Sequence, residues 1–136
     1  MAGSFYESTS TDSYTTGNVS GTSSIGGLAG HSCSSSGVSN SITNFNTTGN
    51  ISGVADVGGL IGYSCKTVIT NSYTEGEISG DYRIGGLIGS SYSHGNVSIT
   101  DSYTTGSISG QNHLGGLVGI APVSYTHLTL PTILLV

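Results

Sequence analysis

The sequence predicts an all-β protein, a parallel β-helix or β-solenoid of about four coils, with one sequence repeat in each coil. Three observations predict this fold. Four segments align without a gap, glycine stands at five fixed positions in every segment, and aliphatic residues fill three other positions. Equivalent residues of successive coils would then lie one above another, about 4.8 Å apart. The pattern therefore favours a stack of short strands joined by tight corners.

Four units of 19 residues carry the repeat, and each ends in Gly-Gly-Leu-x-Gly. They cover residues 12–30, 44–62, 71–89 and 101–119, so their starts are 32, 27 and 30 residues apart. All the length variation falls between the units, which indicates that the units form the coils and the joints are loops. A repeat of this length can hold about three short strands.

Three aliphatic columns are predicted to fill the interior of the solenoid, at the eighth, fourteenth and seventeenth positions of the unit. The columns are Val19, Ile51, Ile78 and Ile108; Ile25, Val57, Ile84 and Leu114; and Leu28, Leu60, Leu87 and Leu117. The sequence leaves open whether Leu87 or its neighbour Ile88 points inward. The glycines are predicted either to supply positive φ at corners or to let the coils approach closely.

Two other columns are polar or aromatic. The first position of the unit is compatible with a ladder of hydrogen-bonded side chains and equally with a turn that favours Asp and Asn; its members are Asp12, Asn44, Asn71 and Asp101. The third position is interpreted as aromatic packing, with one interruption in the second unit; its members are Tyr14, Asn46, Tyr73 and Tyr103.

Threonine recurs at the fourth and fifth positions of the unit. The fourth-position residues are Thr15, Thr47, Thr74 and Thr104, and those of the fifth are Thr16, Thr48 and Thr105. A flat threonine surface that orders water is one hypothesis for this pattern. Adjacent strand residues point to opposite faces, however, which argues against a double row on one surface.

Cys33 and Cys65 follow the first two units at equivalent positions, in the contexts GHSC and GYSC. Stacked neighbours have Cα atoms about 5 Å apart, within the range that a disulfide requires. An exported protein would allow oxidation, whereas two stacked reduced cysteines are the alternative. The sequence leaves both possibilities open.

Composition excludes several classes of protein. Charged residues make up only 7% of the chain, against about 25% in typical domains, and Gly, Ser, Thr and Asn disfavour helix interiors. The net charge is −5, with Lys66 and Arg83 as the two basic residues. We therefore expect no nucleic-acid binding and no attraction to an anionic membrane. No segment is predicted to insert into a membrane.

The sequence predicts no catalytic residue, no cofactor and no metal. The zinc-protease motif HExxH and the aspartate of calcium-binding Gly-rich repeats are missing. The four histidines share no column and are interpreted as solvated loop residues; they are His31, His94, His113 and His127. The best acid–base candidates for a glycan-cleaving β-helix are Asp56, Glu75, Glu77 and Asp81, where Glu75 and Glu77 would share a face on a strand.

The run GGL[AIV]G, preceded by sequence like SYTTGNVSG, resembles the GLUG-motif repeat family over residues 12–119. The resemblance implies a structural or adhesive, non-catalytic segment of a large exported bacterial surface protein. The partners it implies are host or environmental glycans or proteins. The alternatives are the β-helix of a polysaccharide-acting enzyme and a non-catalytic region of a larger surface peptidase. We also expect end-to-end self-association, because a short solenoid exposes sheet edges at both ends.

Three regions follow from the repeat boundaries. Residues 1–11 are predicted to be part of a preceding repeat and contain no secretion signal, so a signal is expected upstream of this fragment. Residues 12–122 are predicted to form the solenoid. Residues 123–136 do not continue the repeat; SYTHLTLPTILLV resembles translated sequencing adaptor at the ends of unrelated fragments. The alternative is a genuine hydrophobic tail that covers the last coil.

Overall fold

The computed structural model describes residues 2–91, 96–120 and 125–128, which form a β-solenoid of about four turns. The strand pairings of the described residues are parallel, and no helix occurs among them. The fold class predicted from the repeat is therefore confirmed.

The strands follow the repeat from coil to coil. A first strand, β1 (Ala2–Phe5), precedes coil 1, which contains β2 (Thr9–Thr15), β3 (Val19–Ser20), β4 (Ser23–Gly26) and β5 (Ala29–Ser32). Coil 2 contains β6 (Asn40–Thr47), β7 (Ile51–Ser52), β8 (Ala55–Gly58) and β9 (Ile61–Ser64). Coil 3 contains β10 (Thr67–Thr70), β11 (Tyr73–Thr74), β12 (Ile78–Ser79), β13 (Tyr82–Gly85) and β14 (Ile88–Ser91). Coil 4 contains β15 (Val97–Thr100), β16 (Tyr103–Thr104), β17 (Ile108–Ser109), β18 (Asn112–Gly115) and β19 (Val118–Ile120), and β20 (Tyr125–Leu128) follows it.

Stacking of the coils produces four parallel sheets. Sheet I contains β2, β6, β10, β11, β15, β16 and β20; sheet II contains β3, β7, β12 and β17; sheet III contains β4, β8, β13 and β18; and sheet IV contains β1, β5, β9, β14 and β19. Each coil thus crosses four sheets, where about three strands were expected. The additional strand arises because the second glycine and the leucine of each Gly-Gly-Leu run form a bend between sheets III and IV.

Equivalent residues of the repeat are paired in register. On sheet II, Ile78 pairs with Ile51 on one side and Ile108 on the other. On sheet III, Ile84 pairs with Val57 and Leu114 in the same way. The aliphatic columns read from the sequence are therefore columns of directly paired strand residues.

Two columns of non-glycine residues turn the chain with a left-handed backbone. They contain eight of the nine described non-glycine residues with positive φ: Asp12, Asn44, Asn71 and Asp101 in sheet I, and Ser24, Asp56, Arg83 and His113 in sheet III, with φ between 48° and 56°. Asp and Asn tolerate this region because their short polar side chains can hydrogen-bond locally.

The repeated glycines serve a different purpose, namely close approach of neighbouring coils. Among the described glycines only Gly37, in a joint, has positive φ, at 87°. A Cβ built on Gly27 would lie 2.5 Å from the carbonyl oxygen of Gly59 in the next coil, and one on Gly89 would lie 2.5 Å from Val57 N. The first of the two roles expected for these glycines is therefore wrong, and the second accounts for them.

The described residues form two separate hydrophobic clusters in the interior. The larger cluster lies between sheets I and IV, and its fully buried members include Ile42, Leu60, Leu87 and Ile88. Leu87 and Ile88 both have 0% exposure, so the bend buries two successive side chains. The smaller cluster packs sheet II against sheet III through Ile51, Val57, Ile78 and Ile84.

A ladder of buried threonine hydroxyl groups runs from coil to coil beside the larger cluster. Thr47, Thr74 and Thr104 are buried where β6, β11 and β16 end. The hydroxyl of Thr74 donates to the carbonyl oxygen of Gly86 at 2.8 Å, and its oxygen lies 2.8 Å from the hydroxyl oxygen of Thr104. Hydrogen bonding offsets the cost of burying these hydroxyl groups.

A second buried polar group lies at the corner between sheets IV and I. The side-chain amide of Asn40 donates to the hydroxyl of Ser32 at 2.8 Å, and Ser32 lies 3.0 Å from the hydroxyl of Thr67. The side-chain oxygen of Asn40 (Oδ1) also accepts a hydrogen bond from the backbone N–H of Ser8 at 3.0 Å. These bonds tie the first three coils together around the joint.

Candidate functional site

The predicted interior columns are most completely covered in the middle of the stack. Ile51, Ile78, Val57, Ile84, Leu28, Leu60 and Leu87 are buried. Val19, Ile25, Ile108 and Leu117 are half-buried against the two clusters. Leu114, in coil 4, is 48% exposed, because the smaller cluster has no described coil beyond it. These columns serve packing, and none of their members lines a polar site.

Cys33 and Cys65 form a disulfide, with their Cα atoms 4.7 Å apart. The bond joins coil 1 to coil 2 across 32 residues of sequence. The ring of His31 stacks on that of Tyr63 beside the bond, with centroids 5.1 Å apart. Of the two states left open by the sequence, the structure contains the bridge.

The Asp and Asn column combines both interpretations given from sequence. All four residues have positive φ, as a turn position requires. The side-chain amide of Asn44 also donates to a carboxylate oxygen of Asp12 at 2.7 Å, which is one rung of a ladder. All four side chains are exposed, so the rung lies on the surface.

Asp56 is the buried carboxylate among the four acid–base candidates, and its oxygens are occupied. Arg83 holds it through Nε, 2.7 Å from Oδ1, and through Nη2, which donates to Oδ2 at 2.9 Å. The hydroxyl of Ser90 also donates to Asp56 Oδ1 at 2.5 Å. The carboxylate is therefore bound on both oxygens and links three strands of coils 2 and 3.

The other three candidates do not converge on Asp56. Glu75 and Glu77 are exposed and lie in the turn between β11 and β12, so the expectation that they share a strand face is wrong. Asp81 is exposed and accepts a hydrogen bond from Gln111 at 3.4 Å. Within the described ranges, no three His, Cys, Asp or Glu residues are grouped as metal ligands.

The histidines are separate from one another where they are described. His31 is half-buried in its aromatic stack, and His113 is exposed at a left-handed position of sheet III. His94 and the side chain of His127 lie outside the described residues, as do residues 123–124 and 129–136 of the predicted tail. The backbone of β20 pairs with β15, which extends sheet I by one strand.

The threonine rows lie on different sides of the strands. The fourth-position residues Thr47, Thr74 and Thr104 are buried, whereas Thr16, Thr48 and Thr105 are exposed. The arrangement follows from alternation along the strand, as the sequence argument expected. A single flat surface with both rows is not formed.

The outer face of sheet I brings the aromatic column to the surface. Ser72 and Thr74 are buried, so the side chain of Tyr73 between them points outward. The four equivalent residues, hereafter the Tyr row, are Tyr14, Asn46, Tyr73 and Tyr103, and they are paired in register.

The Tyr row contains two stacked rings and one gap. The rings of Tyr73 and Tyr103 are parallel within 6°, with centroids 5.2 Å apart. Asn46 donates from its amide to the Tyr73 hydroxyl at 2.8 Å. Tyr14 is 71% exposed, more than any other large hydrophobic side chain in the described part of the chain. This column was interpreted from the sequence as aromatic packing, and its surface position was not predicted. Alternation with the buried fourth position could have indicated that position.

Two polar rows lie beside the Tyr row on the same outer face, both on its N-terminal side along the strands. One is the exposed Asp and Asn column, and the other precedes it by one residue and consists of Thr11, Thr43, Thr70 and Thr100. Ile42, Ile69 and Ile99 are buried beside these threonines, which therefore point outward. The face thus presents rings, amides, carboxylates and hydroxyls in parallel rows.

Comparisons with protein-family models, with curated proteins and with solved structures found no match to this chain. Among the described residues, no helix is long and apolar enough to cross a membrane.

Proposed function

We propose that this chain is a structural and adhesive, non-catalytic segment of an exported bacterial surface protein of the GLUG-motif type. The observation that carries the proposal is the use of the repeat itself. Its glycines, aliphatic residues and fourth-position threonines are engaged in contacts between coils. A repeat that specifies only stacking produces a rod whose outer face remains available for binding.

The disulfide supports an extracellular setting on the bacterial cell surface. Cys33 and Cys65 are bonded, and such bonds persist in oxidising compartments. A thiol count on protein isolated from its producing cells tests this part of the proposal. Two free thiols per chain would contradict an exported location.

The absence of catalysis is supported by the state of the best acid–base candidate. Asp56 is held by Arg83 and Ser90, and no second candidate carboxylate contacts it. Acid–base cleavage of a glycan needs two carboxyl groups at opposite sides of one bond. Incubation with soluble polysaccharides is expected to release no reducing ends, and product release would favour the polysaccharide-acting alternative.

Adhesion is tested by display of residues 1–136 on a bacterium that does not attach to surfaces. We expect displayed cells to attach to plates coated with glycans or with host matrix proteins. The control is the same display with Leu87→Asp, which disrupts the fold by placing a carboxylate at a fully buried position. Equal attachment of the two strains to every coating would overturn the proposal.

Self-association is a further part of this proposal. The end strands β3, β4, β17 and β18 have one neighbour each in sheets II and III among the described residues. Leu114 is exposed beside β17, within a depression lined also by Ile108 and Gly115. Sedimentation velocity is expected to reveal species larger than the monomer as concentration rises, and Leu114→Lys is expected to reduce them. A monomer at all concentrations would contradict self-association.

A further inference from the structure

The interruption of the Tyr row creates a gap of defined size. Tyr14 and Tyr73 flank Asn46 on successive strands, so their Cα atoms are about 9.6 Å apart, two strand spacings. A ring in van der Waals contact with an aromatic on each side needs about 7–8 Å, since carbon atoms touch at roughly 3.5–4.0 Å. Two strand spacings therefore match the separation that one flat six-membered ring needs between the two tyrosines.

No aromatic ring of the described residues stacks on Tyr14 or Tyr73 within the gap, so these two rings can contact a ligand. Tyr73 stacks on Tyr103 through one face, and Asn46 places no ring against the other. Tyr14 is 71% exposed. The gap is thus bordered by two aromatic side chains, with a carboxamide at its base.

Hydrogen-bonding groups adjoin the gap on the outer face. The Asn46 amide donates to the Tyr73 hydroxyl, at the outer end of that ring, at 2.8 Å, and each group retains further bonding capacity. The side chains of Asn44 and Asp12 are exposed two residues earlier on the neighbouring strands. Rings with apolar faces and polar edges match this arrangement, since the faces contact tyrosine and the edges contact amide and carboxylate.

Charge restricts the ligand further. The three rows of this face contain Asp12 and Asp101 as their charged members, and the two basic residues lie elsewhere, Lys66 ahead of β10 and Arg83 on sheet III. The chain as a whole carries −5. An anionic sugar would be repelled and would find no cation to neutralise it.

We propose that the gap between Tyr14 and Tyr73 is a binding site for one sugar ring of a neutral glycan. The glycan chain continues along the Tyr row in the direction of the solenoid axis. This inference rests on the adhesive function proposed above and assigns it a ligand class and a location. Binding to a protein partner in place of a glycan would contradict this inference.

The decisive variant is Asn46→Tyr, which fills the gap. Coils 3 and 4 already contain tyrosine stacked on tyrosine in this register, so the fold accommodates the change. We expect the melting temperature to stay the same or rise, while affinity for the glycan falls about tenfold or more, which corresponds to the loss of about 1.4 kcal/mol. If the melting temperature is kept or rises while affinity for the glycan falls, the loss of binding is due to the filled site and not to unfolding of the protein.

Removal of either wall completes the series. Tyr14→Asn and Tyr73→Asn copy the residue that coil 2 already has, and both are expected to weaken binding. The matched control is Tyr82→Asn, a 51% exposed tyrosine on sheet III, which is expected to leave binding unchanged. Equal weakening by the control would overturn the location.

The probes are neutral hexasaccharides of β-linked glucose, mannose, xylose and N-acetylglucosamine, measured by calorimetry to millimolar concentration, with hexagalacturonate as the anionic comparison. Binding of at least one neutral probe, and weaker binding of the anionic one, is expected. Absence of binding by every neutral probe, or preference for the anionic one, would overturn the inference. Attachment of displayed wild-type cells then decides the proposed function separately, because attachment to protein coatings alone would preserve adhesion and exclude this site.

Discussion

Coil 3 and coil 4 contain the same repeat positions in different surroundings. Ile84 and Leu87 of coil 3 are fully buried, whereas their equivalents Leu114 and Leu117 are 48% exposed and half-buried. At the other end, a Cβ on Gly17 would meet nothing, while one on Gly76 would meet the backbone of Gly49. The repeat therefore specifies an interface between coils, and the contribution of a residue to stability depends on which neighbouring coils it contacts.

The largest expected effect is that of Leu87→Asp. The carboxylate would be buried in the larger cluster without a partner, so we expect a loss of several kcal/mol in the free energy of unfolding. Leu114→Asp changes the same chemistry at a 48% exposed site and should cost about 1 kcal/mol or less. Denaturant unfolding of both variants measures the contrast, and similar midpoints would contradict it.

Removal of the disulfide is expected to have the next largest effect. Cys33 and Cys65 close 32 residues, and the chain-entropy estimate for such a loop is about 3–4 kcal/mol. In the double Ser variant, we expect hydrogen exchange to accelerate in β2–β4 more than in β12–β13, since coil 1 would become a free end like coil 4. Uniform acceleration along the chain would indicate that the bond stabilises the whole stack instead.

A smaller effect is expected when alanine replaces the glycines at the sixth position of the unit. Gly76→Ala would force apart the backbones of coils 2 and 3 and should cost about 1–3 kcal/mol. Gly17→Ala adds the same methyl group into open space and should leave stability unchanged or slightly higher. Thermal unfolding measures both variants, and a large loss at Gly17 would show that chain conformation, not approach of the coils, requires the glycine.

The smallest effect is expected at a left-handed corner. Asn71 has φ of 49°, a conformation that glycine adopts without a Cβ penalty. Asn71→Gly should therefore change stability by less than about 1 kcal/mol, in either direction, because relief of strain opposes the entropy of the unfolded chain. Asn71→Val, with a β-branched side chain, is the matched variant and should lower the melting temperature clearly.

The sequence predicted the parts of the fold that depend on like residues stacking on like. Ile51 and Ile78 recur at one position and pair directly. The equivalent positions of Cys33 and Cys65 in neighbouring coils were also predicted, although the bond between them was left open. The chemistry of each column was sufficient there, because an in-register stack repeats it from coil to coil.

Other features could not be predicted because they depend on a neighbouring coil or on backbone conformation. The left-handed column of sheet III contains Ser24, Asp56, Arg83 and His113, which share no composition that would reveal a common φ. The bonds from Arg83 and Ser90 to Asp56 join residues 27 and 34 positions apart with no repeated pattern. The gap beside Tyr14 was visible in the sequence as an interruption, but its outward position required the structure.

The bond between coils 1 and 2 also determines how the molecule responds to pulling. A force applied to the two ends of the chain bypasses the segment between Cys33 and Cys65, which are 32 positions apart, because the covalent link carries the load. At roughly 3.3–3.6 Å per extended residue, about 110 Å of chain is withheld from extension until the bond is reduced. Coil 1, which precedes Cys33, and coils 3 and 4, which follow Cys65, lie outside this closed segment and can lengthen while the bond is intact. The disulfide therefore makes coil 2 and the joint before it an inextensible segment between extensible coils on either side.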